Sequence, residues 1–414
     1  MTRTQLRLTA GLSMIATALV LINGGRPSTS SAAARAAAQR AIVVQAALPA
    51  TPEPAAAAPV SAPIAPATAV TPAPATSSAA PASSGSGGSS SPTPAKKAAP
   101  PKPSKARHVF VIALTGTDVQ QAFGAQSAAP YLATDLQPRG TLLSGFGPLD
   151  NADLPNYIAM AGGQPPNSAT QSECSTFAEF SPEATTGTDG VVSGTGCVYP
   201  NTVITIGDQL TSSGRSWRAY SEDMGAKPCR HPESDGPDDT MTGRPGDQYA
   251  TRHNPFVYFH SLLDAGDCEA DDLSLDGLAT DLNKVSTTPN YAYIAPNLCD
   301  SATESPCVDG SPGGLAAADA FLKLWVPRIL GSPAYKADGA LLITFLSSAE
   351  KSPDGPPRTG ALVLSPFAGG GKTTATPYDP YSLLRSVEDL FGLTPLAHAQ
   401  EAQSFAKAAL PGAF

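Results

Sequence analysis

The sequence predicts an α/β sandwich built on a mostly parallel sheet and preceded by a long disordered tether. Three observations carry that prediction. Four short runs, HVFVIAL (108–114), YAYIAP (291–296), ALLITFL (340–346) and GALVLSPF (360–367), are rich in Val, Ile, Leu and aromatics with little polar alternation, as in strands buried on both faces. Segments with helical spacing lie between them, which argues for layered packing. Residues 26–107 are dominated by Ala, Pro, Ser and Thr, and lack the bulky apolar side chains needed to offset the entropy of ordering a chain.

The helical segments follow in order. Residues 128–136 form the first. Residues 154–161 follow Asp153, a candidate N-cap, with Pro155 in the first turn. Residues 205–212 and 277–285 come next. The segment GLAAADAFLKLWVPRI (314–329) is apolar at helical spacing, and Pro327 is expected to end or kink it. The last, YSLLRSVEDLF (381–391), stops at Gly392, a natural C-cap. Residues 162–260, with their Gly, Pro and Cys content, read as disulfide-pinned loops over the C-terminal edge of the sheet.

Three regions result: 1–25, 26–107 and 108–414. In the first, Arg3 and Arg7 precede an uncharged run at 8–22, short for a membrane span of ~20 residues and suited to an export signal, with an uncleaved N-terminal anchor as the alternative. The protein is therefore expected to be secreted or tethered to the outer face of the cytoplasmic membrane, touching the membrane only through this segment. Residues 1–107 carry ten Lys/Arg and one acid, against 16 Lys/Arg and 34 Asp/Glu in the remainder, a split of +9 and −18. So acidic a domain argues against a nucleic-acid partner, whose phosphates it would repel. All six cysteines, Cys174, Cys197, Cys229, Cys268, Cys299 and Cys307, lie in the domain. An even number in an exported chain implies disulfides, and sequential pairing is the expectation. No C-x-x-C spacing occurs, which argues against a zinc ribbon.

Of five histidines, His108, His231, His253, His260 and His398, none has metal-ligand spacing, and His253 in TRHNPFVYF is the functional candidate. The acidic stretches 233–239 and 264–276 read as solvated loops rather than Ca²⁺ sites. AGGGK (368–372) lacks phosphate-loop spacing. The first strand ends in Thr115-Gly116-Thr117-Asp118, and strand ends facing a cleft are where an α/β fold places its chemistry.

Taken in order, APYLATDLQPRG, DLPNYIAMAGGQ, RHNPFVYF, APNLC, ADAFLKLWVPRILGSPAYKADGALLITF, LVLSPF and PYDPYSLLRSVEDLFGLTPLAHA resemble the phosphoesterase family of acid phosphatases and bacterial phospholipases C. The resemblance covers nearly all of residues 108–400. It implies an alkaline-phosphatase-like three-layer α/β/α sandwich. It also implies metal-assisted attack on a phosphate ester by a Ser or Thr nucleophile. The departures sit at the positions that would carry that chemistry. Thr115-Gly116 stand where the family has Glu-Asn. Asn151, Ala152 and Asp153 stand where it has His-Pro-Ser, Thr303 where a His falls, Leu346 and Ser347 where Asp-Glu stand, and Pro380 where the late helix has His. RHNPF (252–256), Asn156 and Tyr157 survive.

The preferred reading is a phosphoesterase-fold protein whose metal-dependent hydrolysis is lost. Its old cleft, near Thr115, Gly116, Asp118, Asn151, Asp153, Asn156, His253 and Asn254, would bind a small-molecule or envelope ligand. Neutral Thr and Asn groups suit a polyol or sugar-like one. No cofactor is expected. The alternative is an active phosphatase or phospholipase C-like hydrolase with a divalent metal and a rearranged site, in which Asp153 attacks phosphorus or Asp118, Asp150 and Asp153 gather an ion. A structural envelope protein is the second alternative.

Overall fold

A computed structural model describes residues 104–183, 190–348, 350 and 357–414. The proposed signal or anchor and nearly all of the proposed tether lie outside the described residues. Eight strands form one sheet: β1 (His108–Leu114), β2 (Thr141–Leu143), β3 (Trp217–Ser221), β4 (Asp272–Ser274), β5 (Tyr291–Ala295), β6 (Gly339–Phe345), β7 (Ala361–Leu364) and β8 (Lys372–Thr374). Their spatial order is β8-β2-β7-β6-β1-β5-β3-β4. Every neighbouring pair is parallel except the two made by β7, which runs antiparallel to both β6 and β2. The 361–364 run was legible as a strand, but its direction was not, because apolar patterning says nothing of polarity.

The central strand shows why both faces needed apolar residues. Val109, Val111 and Ala113 enter one core, and Phe110, Ile112 and Leu114 enter another. Side chains alternate across a strand, so a strand covered on both sides must be apolar at every position, and all seven residues of β1 are buried. The first core is covered by α2 (Asp153–Gly162), α4 (Ile206–Ser212) and α6 (Pro380–Phe391); the second by α5 (Leu315–Gly331), with α1 (Val119–Phe123) beside it. This is the three-layer α/β/α arrangement.

Several expectations need correction. Asp153 is the first helical residue of α2, and the cap position falls on Ala152, which has no side chain to offer. Pro327 does not end α5, which runs on to Gly331; near a C-terminus the exposed ring displaces a single backbone bond. The 128–136 segment is helical only from Tyr131, as a π-turn passing into 3₁₀. Within 277–285, α-helix is confined to Leu278–Asp281. The stretch 162–260 is not all loop, since it supplies α4 and β3. Residues 104–107, assigned to the tether by composition, pack on the domain: Ala106 is buried, and the Ser104 amide donates to the Leu390 carbonyl at 2.9 Å. The disulfides join Cys174–Cys197, Cys229–Cys268 and Cys299–Cys307. Among the described residues, no helix is long and apolar enough to cross a membrane.

Candidate functional site

Three adjacent central strands, β6, β1 and β5, point their C-terminal ends the same way. The segments that follow them bring together the residues at which the sequence departs from its family pattern. The resulting cluster at the sheet's C-terminal edge has two halves of opposite character.

The first half is neutral. Thr115, directly after β1, is 1 % exposed. Its amide donates to the Ser301 carbonyl at 2.8 Å, and its hydroxyl lies 2.6 Å from that of Thr303. The Thr303 hydroxyl is in turn 2.8 Å from that of Ser301. The three hydroxyls form a chain whose ends reach the Ser301 and Leu298 carbonyls, both at 3.3 Å, so each has a partner, as buried polar groups require. Gly116 makes the closure possible. Its φ is +72°, and a side chain there would run into the Ala302 carbonyl, so only glycine lets the 299–307 loop come this close. The Cys299–Cys307 disulfide staples the same loop.

The second half is charged and lies at the N-terminus of α2. The Asp153 carboxylate accepts from the Ser347 hydroxyl on one oxygen. Its other oxygen faces Arg252 Nε at 3.5 Å and His253 Nε2 at 3.1 Å. Burial pulls the Asp153 carboxyl upward, but His253, Arg252 and Ser347 outweigh it and hold the group at about 2. Burial pushes the His253 imidazole down, with the Asp153 hydrogen bond opposing. The His253 ring stacks on Tyr157, centroids 5.2 Å apart, and its carbonyl accepts from the Tyr293 hydroxyl. Arg252 also donates to the Met241 carbonyl at 3.1 Å.

Glu173 completes this half. Its two carboxylate oxygens accept from the Asp153 and Leu154 amides at 2.6 and 2.8 Å. These are the first amides of α2, which the helix itself leaves without partners. Burial, with the neighbouring Asp153 charge adding to it, raises the Glu173 carboxyl to about 7. Sequence reasoning missed Glu173. The one signal near it is its place beside Cys174, a half-cystine.

Other predicted site residues serve the scaffold. Asn156 and Asn254 are wholly buried. Asn156 accepts from the Leu149 amide at 2.7 Å and donates to the Ala152 carbonyl at 2.7 Å. Asn254 donates to the Tyr249 hydroxyl and to Asp272 at 3.0 and 2.6 Å. Neither amide has surface to offer a ligand. Asp118 caps α1, accepting from the Gln120 and Gln121 amides at 2.7 and 2.9 Å. Asp150 is held by the Ala152 amide at 2.9 Å and Gln171 at 2.7 Å. The oxygen-rich site imagined from Asp118, Asp150 and Asp153 therefore does not assemble. Asn151 keeps a buried, unpartnered Oδ1. Two acids of the supposedly solvated stretches are buried as well: Asp238 accepts from Thr240, and Asp272 from Asn254.

The donor set does not fit a divalent metal. The positions that would grip one carry Thr115, Gly116, Thr303, Leu346, Ser347 and Pro380, neutral groups or none. Metal binding at this kind of site needs carboxylates and imidazoles with free lone pairs; those that remain, Asp153, Glu173 and His253, are bonded to one another, to Ser347 and Arg252, or to the α2 amides. Among the described residues, the one cluster of three potential ligands is Cys229, Cys268 and Asp272, whose sulfurs are joined to each other.

The phosphoesterase family matches residues 119–349. The phosphate-repressible acid phosphatase of Penicillium chrysogenum is 26 % identical over 271 residues, covering 63 % of this chain and 54 % of that protein. A probable acid phosphatase of Kluyveromyces lactis is 24 % identical over 289 residues, covering 68 % and 57 %. The chain thus spans little more than half the length of these curated relatives. Among solved structures, a protein of the alkaline phosphatase superfamily from Vibrio parahaemolyticus superimposes with a TM-score of 0.45 at 12 % identity, covering 75 % of this chain and 72 % of that one. With the matched segment spanning more than half of its length, the chain belongs to the phosphoesterase family.

Proposed function

We propose that this chain is an extracytoplasmic, catalytically silent member of the phosphoesterase family, in which metal-dependent ester hydrolysis is lost and the cleft persists as a binding surface. One observation carries the reading: the groups at the former ligand positions bond to each other. Thr115 and Thr303 share a hydrogen bond of 2.6 Å, and Asp153, at the nucleophile position, is held by Ser347, Arg252 and His253. Both Asp153 oxygens accept hydrogen bonds from within the chain, which lowers the nucleophilicity of the carboxylate. Three disulfides support an oxidising compartment.

The polyol ligand suggested by neutral Thr and Asn groups loses its donors. Thr115 is sealed against Thr303, and Asn156 and Asn254 are buried. Binding capacity remains in the charged half. The full-length protein, incubated with an aryl phosphate and Mg²⁺, Mn²⁺, Zn²⁺ or Ca²⁺ across pH, is expected to show no turnover.

One observation favours the alternative of an active hydrolase. Asp153 is held ionised at about 2 while Glu173 beside it is raised to about 7, and a carboxyl pair split in this way is the signature of divided acid and base roles. Turnover abolished by Asp153→Ala would establish that reading instead.

A further inference from the structure

From the contacts of Glu173 we infer that this side chain is a built-in anion: it fills the oxyanion position at the N-terminus of α2, and an external oxyanion binds there only by displacing it. The inference rests on the cleft being a retained binding surface, and it adds the ligand class and the residue that governs access.

Four observations carry it. The Asp153 and Leu154 amides open a ten-residue helix whose own cap residue, Ala152, offers no acceptor. Helix N-termini with free amides attract anions. The anion found there comes from a remote turn and binds both amides through both oxygens, as a free carboxylate or phosphate would.

Second, the turn is built to present this side chain. Helix α3 (Ser168–Gln171) is fixed by a capping box between Asn167 and Thr170. The chain then passes through left-handed backbone at Glu173 (φ 57°) and Cys174 (φ 50°), a conformation that costs a non-glycine residue energy and persists only where the surroundings impose it. The Cys174–Cys197 disulfide anchors the turn one residue on.

Third, the position has more donors than Glu173 uses. The Tyr157 and Tyr258 hydroxyls are wholly buried and without hydrogen-bond partners; Tyr157 lies in the field of Asp153, Arg252 and Glu173, and Tyr258 chiefly in that of Asp238, with Glu173 and Arg252 further off. Unsatisfied buried hydroxyls are uncommon. A tetrahedral oxyanion has more acceptor oxygens than a carboxylate, and the Tyr157 hydroxyl is an unused donor on the same helix. Fourth, Glu173 is only partly buried, so the carboxylate has a route outward into solvent when displaced.

The test compares inorganic phosphate binding to the full-length wild type, Glu173→Ala and Glu173→Gln at pH 8 by calorimetry, with sulfate and acetate in parallel arms. If Glu173 occupies its position in nine molecules of ten or more, removing it tightens phosphate binding by about tenfold or more. Sulfate should follow phosphate, and acetate should gain least. Both variants folded, with phosphate no tighter than in wild type, overturns the inference. A second measurement needs no substitution: in the wild type, saturating phosphate should shift the Asp153 and Leu154 amide resonances. Unshifted amides at saturation would equally overturn it. Neither readout depends on turnover, so the inference and the proposal of lost hydrolysis fail separately.

Discussion

The two halves of the candidate site handle buried polar groups in opposite ways. Around Thr115, Ser301 and Thr303, charge is removed altogether, and three hydroxyls close on one another behind a glycine that only this tight approach requires. Around Asp153, charge is kept: Arg252 faces it as the counter-charge, Ser347 and His253 hydrogen-bond it, and Glu173 covers the helix amides. The comparison teaches that a site can satisfy its polar groups internally either by removing charge or by pairing it. The neutral half has become structure. The charged half retains groups able to handle an anion, each with an internal partner that an external ligand must replace.

Breaking the charged half should have the largest effect. Asp153→Ala leaves Arg252 and His253 buried without their carboxylate, and removing one partner of such a pair should destabilise the fold by about 3 kcal/mol, read from urea unfolding. A loss near zero would mean that the pair is solvated and the balance described here is wrong. In the neutral half, Gly116→Ala forces a side chain into left-handed backbone and against the Ala302 carbonyl, which should cost about 2–3 kcal/mol. Full stability in that variant would show that the 299–307 loop is free to move away.

Glu173 sharpens the contrast through pH. Its folded carboxyl is raised to about 7 from an ordinary 4.5, chiefly by burial. The folded state therefore holds a proton that the unfolded state releases across that interval. This contribution to stability is fully present below about 4.5, falls as pH rises toward 7, and is flat above. The loss should amount to about 3 kcal/mol. Glu173→Gln should flatten this part of the stability-against-pH curve, as followed by urea midpoints at stepped pH. An unchanged slope would mean that the carboxyl titrates normally. The smallest effect is expected from Thr115→Val, which takes one hydroxyl from a chain in which Thr303 and Ser301 still bond each other, a loss of about 1 kcal/mol.

How far the sequence revealed this molecule depends on how local each feature is. The four central strands were legible because burial on both faces leaves stretches such as HVFVIAL apolar at every position after the first, His108. The strands TLL and KTT at one end of the sheet were not, being three residues long and without periodicity to read. The replaced positions at Thr115, Thr303 and Ser347 were visible through the family pattern, and the fold does bring Thr115 to Thr303 and Ser347 to Asp153. Asn156 and Asn254 were misjudged because a surviving polar residue in a site motif reads alike whether it faces the ligand or braces the backbone. Glu173 was invisible, since its role depends on a turn fixed by a disulfide to Cys197 and on a helix end 20 residues earlier in the chain.

The most direct test of the central claim is the divalent-metal content of the full-length protein after incubation with Mg²⁺, Mn²⁺, Zn²⁺ and Ca²⁺ and removal of free ion. The hydroxyl-lined, internally neutralised cleft predicts no stoichiometric metal under any of these conditions. One tightly held ion per chain, released by Asp153→Ala and accompanied by hydrolysis of an aryl phosphate, would contradict it.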